Sequence, residues 1–531
     1  MSEVVENIQG EESGSLPANW VRVRLPEIAA INPTLDKSEI DDDLPVSFVP
    51  MPAVEAETGK IDVSTHRPFV EVKKGYTGFL EGDVLFAKIT PCMENGKMAV
   101  VPALKNDLGF GSTEFHVLRS ADGTSSDYLY YFVSSKAFRI EAERNMTGAV
   151  GQRRVPTAFL DASEIPLPPA VEQQRIVAKL EELFSELDKG VENLRTAQQQ
   201  LKVYRQALLK HAFEGKLSAE WRAQNPDKRE SAEALLARIQ QEREARYQQQ
   251  LQEWRDAQQA WEAAGKTGRN STKPKAPKAL PPLTAEELAE LPELPEGWAW
   301  GRLGYMTCGV EYGTAAKSSE TGKVAVLRMG NIQNSQFDWR DLVYTDDDDE
   351  IAKYSLRHND VLFNRTNSPE LVGKTAIYKS EQPALFAGYL IRINQVESIA
   401  KAQFVNLFLA SYVAKQHGNK VKTDGVNQSN INGEKLVNYP FPFCNTLEQD
   451  AVVAALEEKL SNLEQLEKAI ENSLQQAEAL RQSILKKAFS GQLVPQNPDD
   501  EPASVLLERI RSERTAQQPA TKRGRKVARL A

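Results

Sequence analysis

The chain has 531 residues, carries 65 Lys and Arg against 74 Asp and Glu for a net charge of −9, and is 41% hydrophobic. That length accommodates roughly three or four domains of about 150 residues, and the balanced composition excludes wholesale disorder. The acidity excludes bulk coating of nucleic acid but leaves room for DNA reading through local basic patches.

No run approaches the ~18 apolar residues of a membrane span, and MSEVVENIQGEESGS lacks the basic and apolar regions of a secretory leader. Cys92, Cys308 and Cys444 are too few and too scattered for a disulfide framework or a zinc site. A soluble cytoplasmic protein without membrane contact is expected.

In chain order the sequence predicts seven segments. They are an acidic segment (1–15), a mixed globular module (16–168) and a long helix (169–217). A helical insertion with a basic Pro-rich linker (218–293), a second module (294–446) and a second long helix (447–493) follow. A C-terminal helix with a basic tail (494–531) ends the chain. Residues 1–166 hold 16 Lys/Arg and 25 Asp/Glu, whereas residues 296–446 hold 16 of each. The two modules therefore differ in charge.

The order repeats because the chain is two copies of one unit. YRQALLKHAFEGKL (Tyr204 to Leu217) returns as LRQSILKKAFSGQL (Leu480 to Leu493), with eight of fourteen positions identical. The same offset of 276 pairs Pro166 with Pro442, Glu172 with Glu448, Gln173 with Gln449 and Leu180 with Leu456. LPANWVRVRL at Leu16 matches LPEGWAWGRL at Leu294, Asp83 to Phe86 matches Asp360 to Phe363, and Gly96-Lys97 matches Gly373-Lys374. Each module is rich in Val, Ile, Phe and Tyr punctuated by Gly, Asn and Pro, which predicts short strands with a few helices. IPLPPAVEQQ (165–174) and YPFPFCNTLEQ (439–449) then mark helix starts, since proline is tolerated there but not further in.

The helices carry apolar residues at coiled-coil spacing. One stripe runs Ile176, Leu180, Leu183, Leu187, Val191, Leu194, Leu201, Tyr204, Leu208; the other runs Val452, Leu456, Leu460, Leu463, Ile470, Leu474, Ala477, Leu480, Ile484. Two such seams are expected to bury against each other as rods of roughly 65 Å, ended by Gly215 and Gly491 as C-caps. Phe213 and Phe489 are expected to pack at the helix ends. Residues 231–264 form another helix, either a solvated arm or a partner-binding face. The basic stretches at 265–282 and Lys522–Arg529 are solvated, with weak phosphate contact as the functional alternative.

Catalytic motifs are missing. Gly265-Lys266-Thr267 and Gly373-Lys374-Thr375 lack the upstream glycine of a phosphate loop, since Ala260 and Ser368 stand there. His66, His116, His211, His358 and His417 show no metal spacing, and no G-x-S-x-G elbow is present. The acidic run Asp346–Glu350 reads as a solvated loop, with cation binding as the alternative.

The duplicated L-P-x-x-W opening, the turns at Gly82–Phe86 and His358–Phe363, the hinge from Pro166 to Ile176 and the R-Q-x-[IL]-L-x-x-A-F-x-G-x-L ends at Arg205 and Arg481 resemble one family. It is the DNA-specificity subunit of type I restriction–modification systems, and the resemblance covers nearly the whole chain. It implies an α+β fold: two pseudo-repeated target recognition domains separated by two long helices forming an antiparallel coiled coil. It implies a non-catalytic subunit that reads one asymmetric bipartite site in double-stranded DNA, the helices setting the spacer. Two methyltransferase subunits and two restriction/translocase subunits are the implied partners. S-adenosylmethionine, ATP and Mg²⁺ belong to them, with no cofactor in this chain. The 218–293 insertion departs from the shortest family pattern.

Two loops in each copy carry side chains suited to DNA. The expected contacts in copy one are Lys88, Thr90, Asn95 and Lys97, then Thr147, Gln152, Arg153 and Arg154. In copy two they are Asn364, Arg365, Asn367 and Lys374, then Thr423, Asn427, Gln428, Ser429 and Asn430. Arg and Lys suit guanine O6/N7 and Asn or Gln suit adenine N6/N7, while the recurrent Lys97 and Lys374 suit phosphates. The rival readings are a coiled-coil scaffold whose modules bind proteins, and a hydrolase with a spatially assembled site.

Overall fold

The computed structural model describes residues 15–149, 151–267 and 272–517. The acidic segment before residue 15, residues 268–271 of the linker and the basic tail Lys522–Arg529 lie outside the described residues. The chain divides into two compact units, one of residues up to Arg195 with those from Glu471 onward, the other of Thr196–Ile470.

The first unit contains β1 (Val21–Arg24), β2 (Ala29–Ile31), β3 (Pro45–Val49), β4 (His66–Pro68), β5 (Thr77–Phe79), β6 (Val84–Ala87), β7 (Met98–Val100), β8 (Gly109–Gly111), β9 (Phe115–Ser120) and β10 (Glu164–Leu167). One sheet runs β2-β9-β6-β7, a second β4-β3-β8-β5, and β1 pairs with β10. β6 lies between two cores, which explains why its residues are all apolar. Val84 and Phe86 pack with Tyr128, Leu129 and Phe138 of two short helices. Leu85 and Ala87 pack with Val49 and Phe79 of the second sheet. A period of two feeding both faces is what a strand with helices behind and a sheet in front requires.

Two long helices follow, α1 (Ala170–Phe213) and α2 (Ala232–Ala263), with short helical turns after each. The second unit then carries β11 (Ala299–Arg302), β12 (Thr307–Tyr312), β13 (Val324–Leu327), β14 (Ile332–Gln333), β15 (Gln336–Phe337), β16 (Val343–Thr345), β17 (Val361–Asn364), β18 (Thr366–Asn367), β19 (Thr375–Ile377), β20 (Ala384–Phe386), β21 (Leu390–Gln395), β22 (Thr423–Asp424), β23 (Ser429–Asn430) and β24 (Pro440–Phe443). Its sheets β12-β21-β17-β19 and β16-β13-β20, with the pair β11-β24, repeat the plan of the first unit. In both units a parallel pair, β3 with β8 and β13 with β20, joins the front sheet. Val361 and Phe363 face Phe404 and Phe408, and Leu362 faces Ala325 and Phe386. The short sheet β18-β23-β22 has its counterpart in the first unit, where Arg154 pairs with both Ile89 and Thr147. The last long helices among the described residues are α3 (Thr446–Phe489) and α4 (Ala503–Gln517).

The repeated Asp83 and Asp360 are structural. Asp83 accepts both guanidinium hydrogen bonds of Arg119 at 2.8 and 2.7 Å, and Asp360 accepts one from Arg392 at 3.1 Å. Each ties its turn to a neighbouring strand.

α1 and α3 are both 44 residues long, close to 66 Å, and each contributes to both units. They pair antiparallel: in the first unit Arg481 bonds Asp188, and in the second Arg205 bonds Glu467 at 3.1 Å. The seam is tight near the helix ends, where Ile176, Leu180, Leu456 and Leu463 are buried. Tyr204 and Leu480 depart from the expected stripe and are about half exposed. A straight helix drifts from a strict seven-residue repeat, which carries such positions off the contact line. Gly215 at φ +69° and Gly491 at φ +74° end the rods. Gly215 donates to Ala212 and Lys216 to His211, and Gly491 and Gln492 repeat the pattern on Ala488 and Lys487. This is the double-bond C-cap that favours glycine. Phe213 stacks edge-on with Phe404 and Phe408, and Phe489 with Tyr128 and Phe132, so both pack at the helix ends.

The repeat runs further than the sequence comparison showed. Leu235 and Ile239 of α2 sink into the second unit's core, as Leu506 and Ile510 of α4 sink into the first. The start of the 231–264 helix is therefore neither arm nor partner face but core. The apolar residues beyond it are partly covered by the chain's own return: Lys273 lies 5.8 Å over the Trp254 ring.

Candidate nucleic-acid interface

In the first unit the two candidate loops come together. Thr90 donates its backbone N–H to Arg153 O at 3.0 Å, Val155 donates to Lys88 O at 2.8 Å, and Thr147 pairs with Arg154. Lys88 follows the end of β6 and is half-buried; burial lowers its ammonium pKa, with the nearby Glu114 opposing. Arg154 forks onto Glu114 at 2.9 and 2.8 Å, and that contact holds the Glu114 carboxyl below the usual carboxylate range. Arg153 lies 3.7 Å from both Glu94 and Glu143, and the Thr90 hydroxyl donates to Glu94 at 3.0 Å. Asn95, Thr147 and Gln152 are exposed. This surface is two arginines each beside a carboxylate, a half-buried lysine, and neutral polar groups around them.

Lys97 is turned toward its own module. Its ammonium donates to Val54 O at 2.8 Å and Met51 O at 3.3 Å, binding a loop of its own module. Its partner in the repeat, Lys374, is half-buried and donates to the Gln333 side chain at 3.2 Å.

The second unit gathers its loops through the short sheet. Thr366 pairs with Asn430 and Asn367 with Ser429, and Thr423 pairs with Asn430 across the hairpin. Asn430 donates through its amide to the Thr366 hydroxyl at 2.7 Å. The hairpin tip presents Asn427 and Gln428, closed by Gly425 N–H on Gln428 O at 2.7 Å. Thr423 is exposed and accepts from Lys435 at 2.5 Å. Asn367 accepts from the Ser368 N–H at 2.8 Å.

Arg365 is half-buried; it stacks 4.9 Å over the Tyr312 ring and donates to Gly388 O at 3.3 Å. Its Nε, buried, has no partner. The stacking fixes the plane of the guanidinium. Two expected contacts are corrected here. Asn364 and Ser429 are fully buried: Asn364 ends a strand packed on both faces, and Ser429 donates to Asp424 within the hairpin. Neither side chain is exposed at the surface.

Sequence reasoning missed Tyr312, Tyr389 and Val426, which are exposed beside the same loops, Val426 completely. No local signal marks the two tyrosines, because an aromatic residue beside a strand end reads as core until the sheet is assembled; Val426 lies in the turn between β22 and β23.

Among the described residues no helix is long and apolar enough to cross a membrane, and no group of three or more His, Cys, Asp or Glu could hold a metal ion. A family model described as the type I restriction modification DNA specificity domain matches residues 17–194 and 308–476. The chain is 30% identical over 513 residues to the EcoAI specificity subunit of Escherichia coli, covering 88% of this chain and 81% of that one. It is 25% identical over 532 residues to the EcoKI specificity subunit of Escherichia coli K12, covering 95% and 97%. A chain solved in work on the assembly and conformational transition of a type I restriction–modification system shares the fold, with a TM-score of 0.63 at 20% identity over 90% of this chain and all of that one. With the duplicated modules and paired helices of the fold above, the chain belongs to the type I restriction–modification DNA specificity family.

Proposed function

We propose that this chain selects DNA for a type I restriction–modification complex, each module reading one half of an asymmetric bipartite double-stranded site. The observation that carries the reading is the pairing of a repeated scaffold with unlike surfaces. One module offers carboxylate-held arginines and the other a stacked arginine with an amide-rich hairpin. Base edges are read by such groups, at about 1–3 kcal/mol per bidentate contact. Thr90, Asn95, Thr147, Gln152, Arg153 and Arg154 are the reading set of the first module. Arg365, Asn367, Thr423, Asn427, Gln428 and Asn430 are that of the second, with Lys88 and Lys374 nearer the backbone.

The helices set the spacer, and a four-residue insertion near Gln198 adds about 6 Å, nearly two base pairs. Binding is the chain's contribution. Methyl transfer, cleavage and their S-adenosylmethionine, ATP and Mg²⁺ belong to two methyltransferase and two restriction/translocase subunits in the cytoplasm. Twofold partner docking is supported by apolar side chains that recur at the repeat offset and stay exposed. They are Val171 and Leu447 at 54% and 50%, and Tyr204 and Leu480 at 51% each. Unpaired apolar positions repeated in this way suit two copies of one partner.

The test is co-expression with the neighbouring methyltransferase subunit in a methylation-free host, followed by long-read mapping of modified adenines. One bipartite motif is expected, and exchanging a module changes one half of it. A stable complex that modifies no motif would overturn the reading in favour of the scaffold.

A further inference from the structure

Residues 272–284 form neither helix nor strand and run back beside α2. Pro274, Pro277, Pro281 and Pro282 have no N–H to donate, so this strap is held through its carbonyls. Arg243 donates to Lys278 O at 3.3 Å, Tyr305 to Leu280 O at 3.3 Å, and Arg302 to Pro281 O at 3.2 Å and Pro282 O at 3.3 Å. Leu280 also fills the space a side chain at Gly304 would need. The backbone is thus fixed, while the lysine side chains stay at the surface, Lys273 over the Trp254 ring. Lys273, Lys275 and Lys278 are exposed. Among the described residues, none of the three has a carboxylate partner.

Position gives these charges a use. A cavity of about 550 Å³ is lined on one side by Lys275 and Lys278 and on the other by Tyr312 and Gly433. Tyr312 is the ring on which Arg365 stacks, and its hydroxyl accepts from Gly433 N–H at 2.8 Å. Glu434 is the acidic side chain lining the cavity. Lys275 and Lys278 therefore adjoin the second module's candidate reading surface, with Lys273 two residues upstream on the same strap, in a chain whose net charge is −9. Five residues of extended, proline-rich chain cover about 15 Å, and duplex DNA carries one charge per about 1.7 Å of axis. The row matches several consecutive phosphates.

We propose that Lys273, Lys275 and Lys278 form a phosphate clamp on the duplex flanking the second module's half-site, adding affinity without sequence preference. This rests on the DNA-reading function proposed above. The strap is preorganised, so binding orders little new chain. Its lysines act as point charges without a geometric code.

The test uses the full chain with its methyltransferase subunit and measures duplex affinity across a salt series. In K273Q/K275Q/K278Q, affinity is expected to fall about tenfold on cognate and random duplexes alike, the salt slope to shrink by about two to three, and the methylated motif to stay the same. Trimming the duplex beyond the second half-site weakens the wild type but not the variant, and K273R/K275R/K278R retains binding. An unchanged salt slope in an intact complex would overturn the clamp. So would loss of subunit assembly, which would make the strap a protein-docking surface. If the wild type itself shows no cognate preference, the DNA-reading function fails first, which separates the two failures.

Discussion

The two junctions between module and helix start from nearly the same residues and are wired differently. In both, the repeated glutamine does one job. Gln173 accepts from Ser125 N–H at 2.8 Å and donates to Pro168 O at 3.1 Å, and Gln449 accepts from Lys401 N–H at 2.9 Å and donates to Ile399 O and Cys444 O. The neighbouring glutamates diverge. Glu172 accepts from the Trp20 indole at 3.0 Å and from Gln496 at 2.5 Å, both neutral donors. Glu448 instead accepts from the Arg222 guanidinium at 2.6 Å and the Ser218 hydroxyl at 2.7 Å, and the indole N–H of Trp298 is left without a partner. The difference teaches that duplication conserved the backbone-satisfying contact and left the charge free to find new company.

The largest expected effect tests that charge. Glu448→Ala removes the carboxylate from the largely buried Arg222 guanidinium and leaves it only the Ser218 hydroxyl and Gly215 O, which costs about 3–5 kcal/mol. Glu172→Ala strands neutral donors and costs about 1–3 kcal/mol. Hydrogen exchange followed separately in each unit, during urea titration, measures both. Equal losses would erase the distinction.

Next come the glutamines. Gln173→Ala and Gln449→Ala each strand buried backbone groups and are expected to destabilise their own units equally, by about 1–3 kcal/mol. A twofold disparity in the same exchange experiment would show that the junctions differ even here.

The reading surfaces carry the comparison outward. Arg365→Ala is expected to weaken cognate binding more than random-duplex binding, by about 1–3 kcal/mol of discrimination. Competition titration reads this directly, and equal loss on both duplexes would make Arg365 a phosphate contact. The same experiment with Arg154→Ala should show a smaller loss, because Glu114 already occupies that guanidinium.

The smallest effect is in pH. Burial raises the Glu172 carboxyl pKa against the hydrogen bonds of Trp20 and Gln496. The folded state then binds more protons than the unfolded one just above the usual glutamate range of about 4.3. Stability from this group is full below the unfolded pKa and falls as pH rises through the folded one. Glu172→Gln keeps an acceptor for Trp20 and removes the titration, so the first unit's stability profile between about pH 4 and 7 should flatten. A retained slope would assign it to another group.

The amino-acid sequence alone determined the repeat, the module order, the paired helices with their glycine caps, and the family to which they belong. Those features are periodic or local: heptad spacing, proline at a helix start and glycine at positive φ leave marks within a few residues. It also identified loops that assemble, since Thr366 meets Asn430 and Ile89 pairs with Arg154.

Only the tertiary structure decided which loop residues remain available. Asn364 and Ser429 vanish into the interior, Lys97 turns to its own backbone, and Tyr312 and Val426 emerge. It alone showed that the starts of α2 and α4 are core, and that the proline-rich strap is pinned beside the second unit's candidate reading surface. The physical reason is common to all of these. Burial and hydrogen-bond partnership depend on residues tens to hundreds of positions away, and no local pattern encodes the neighbour that arrives when the chain folds.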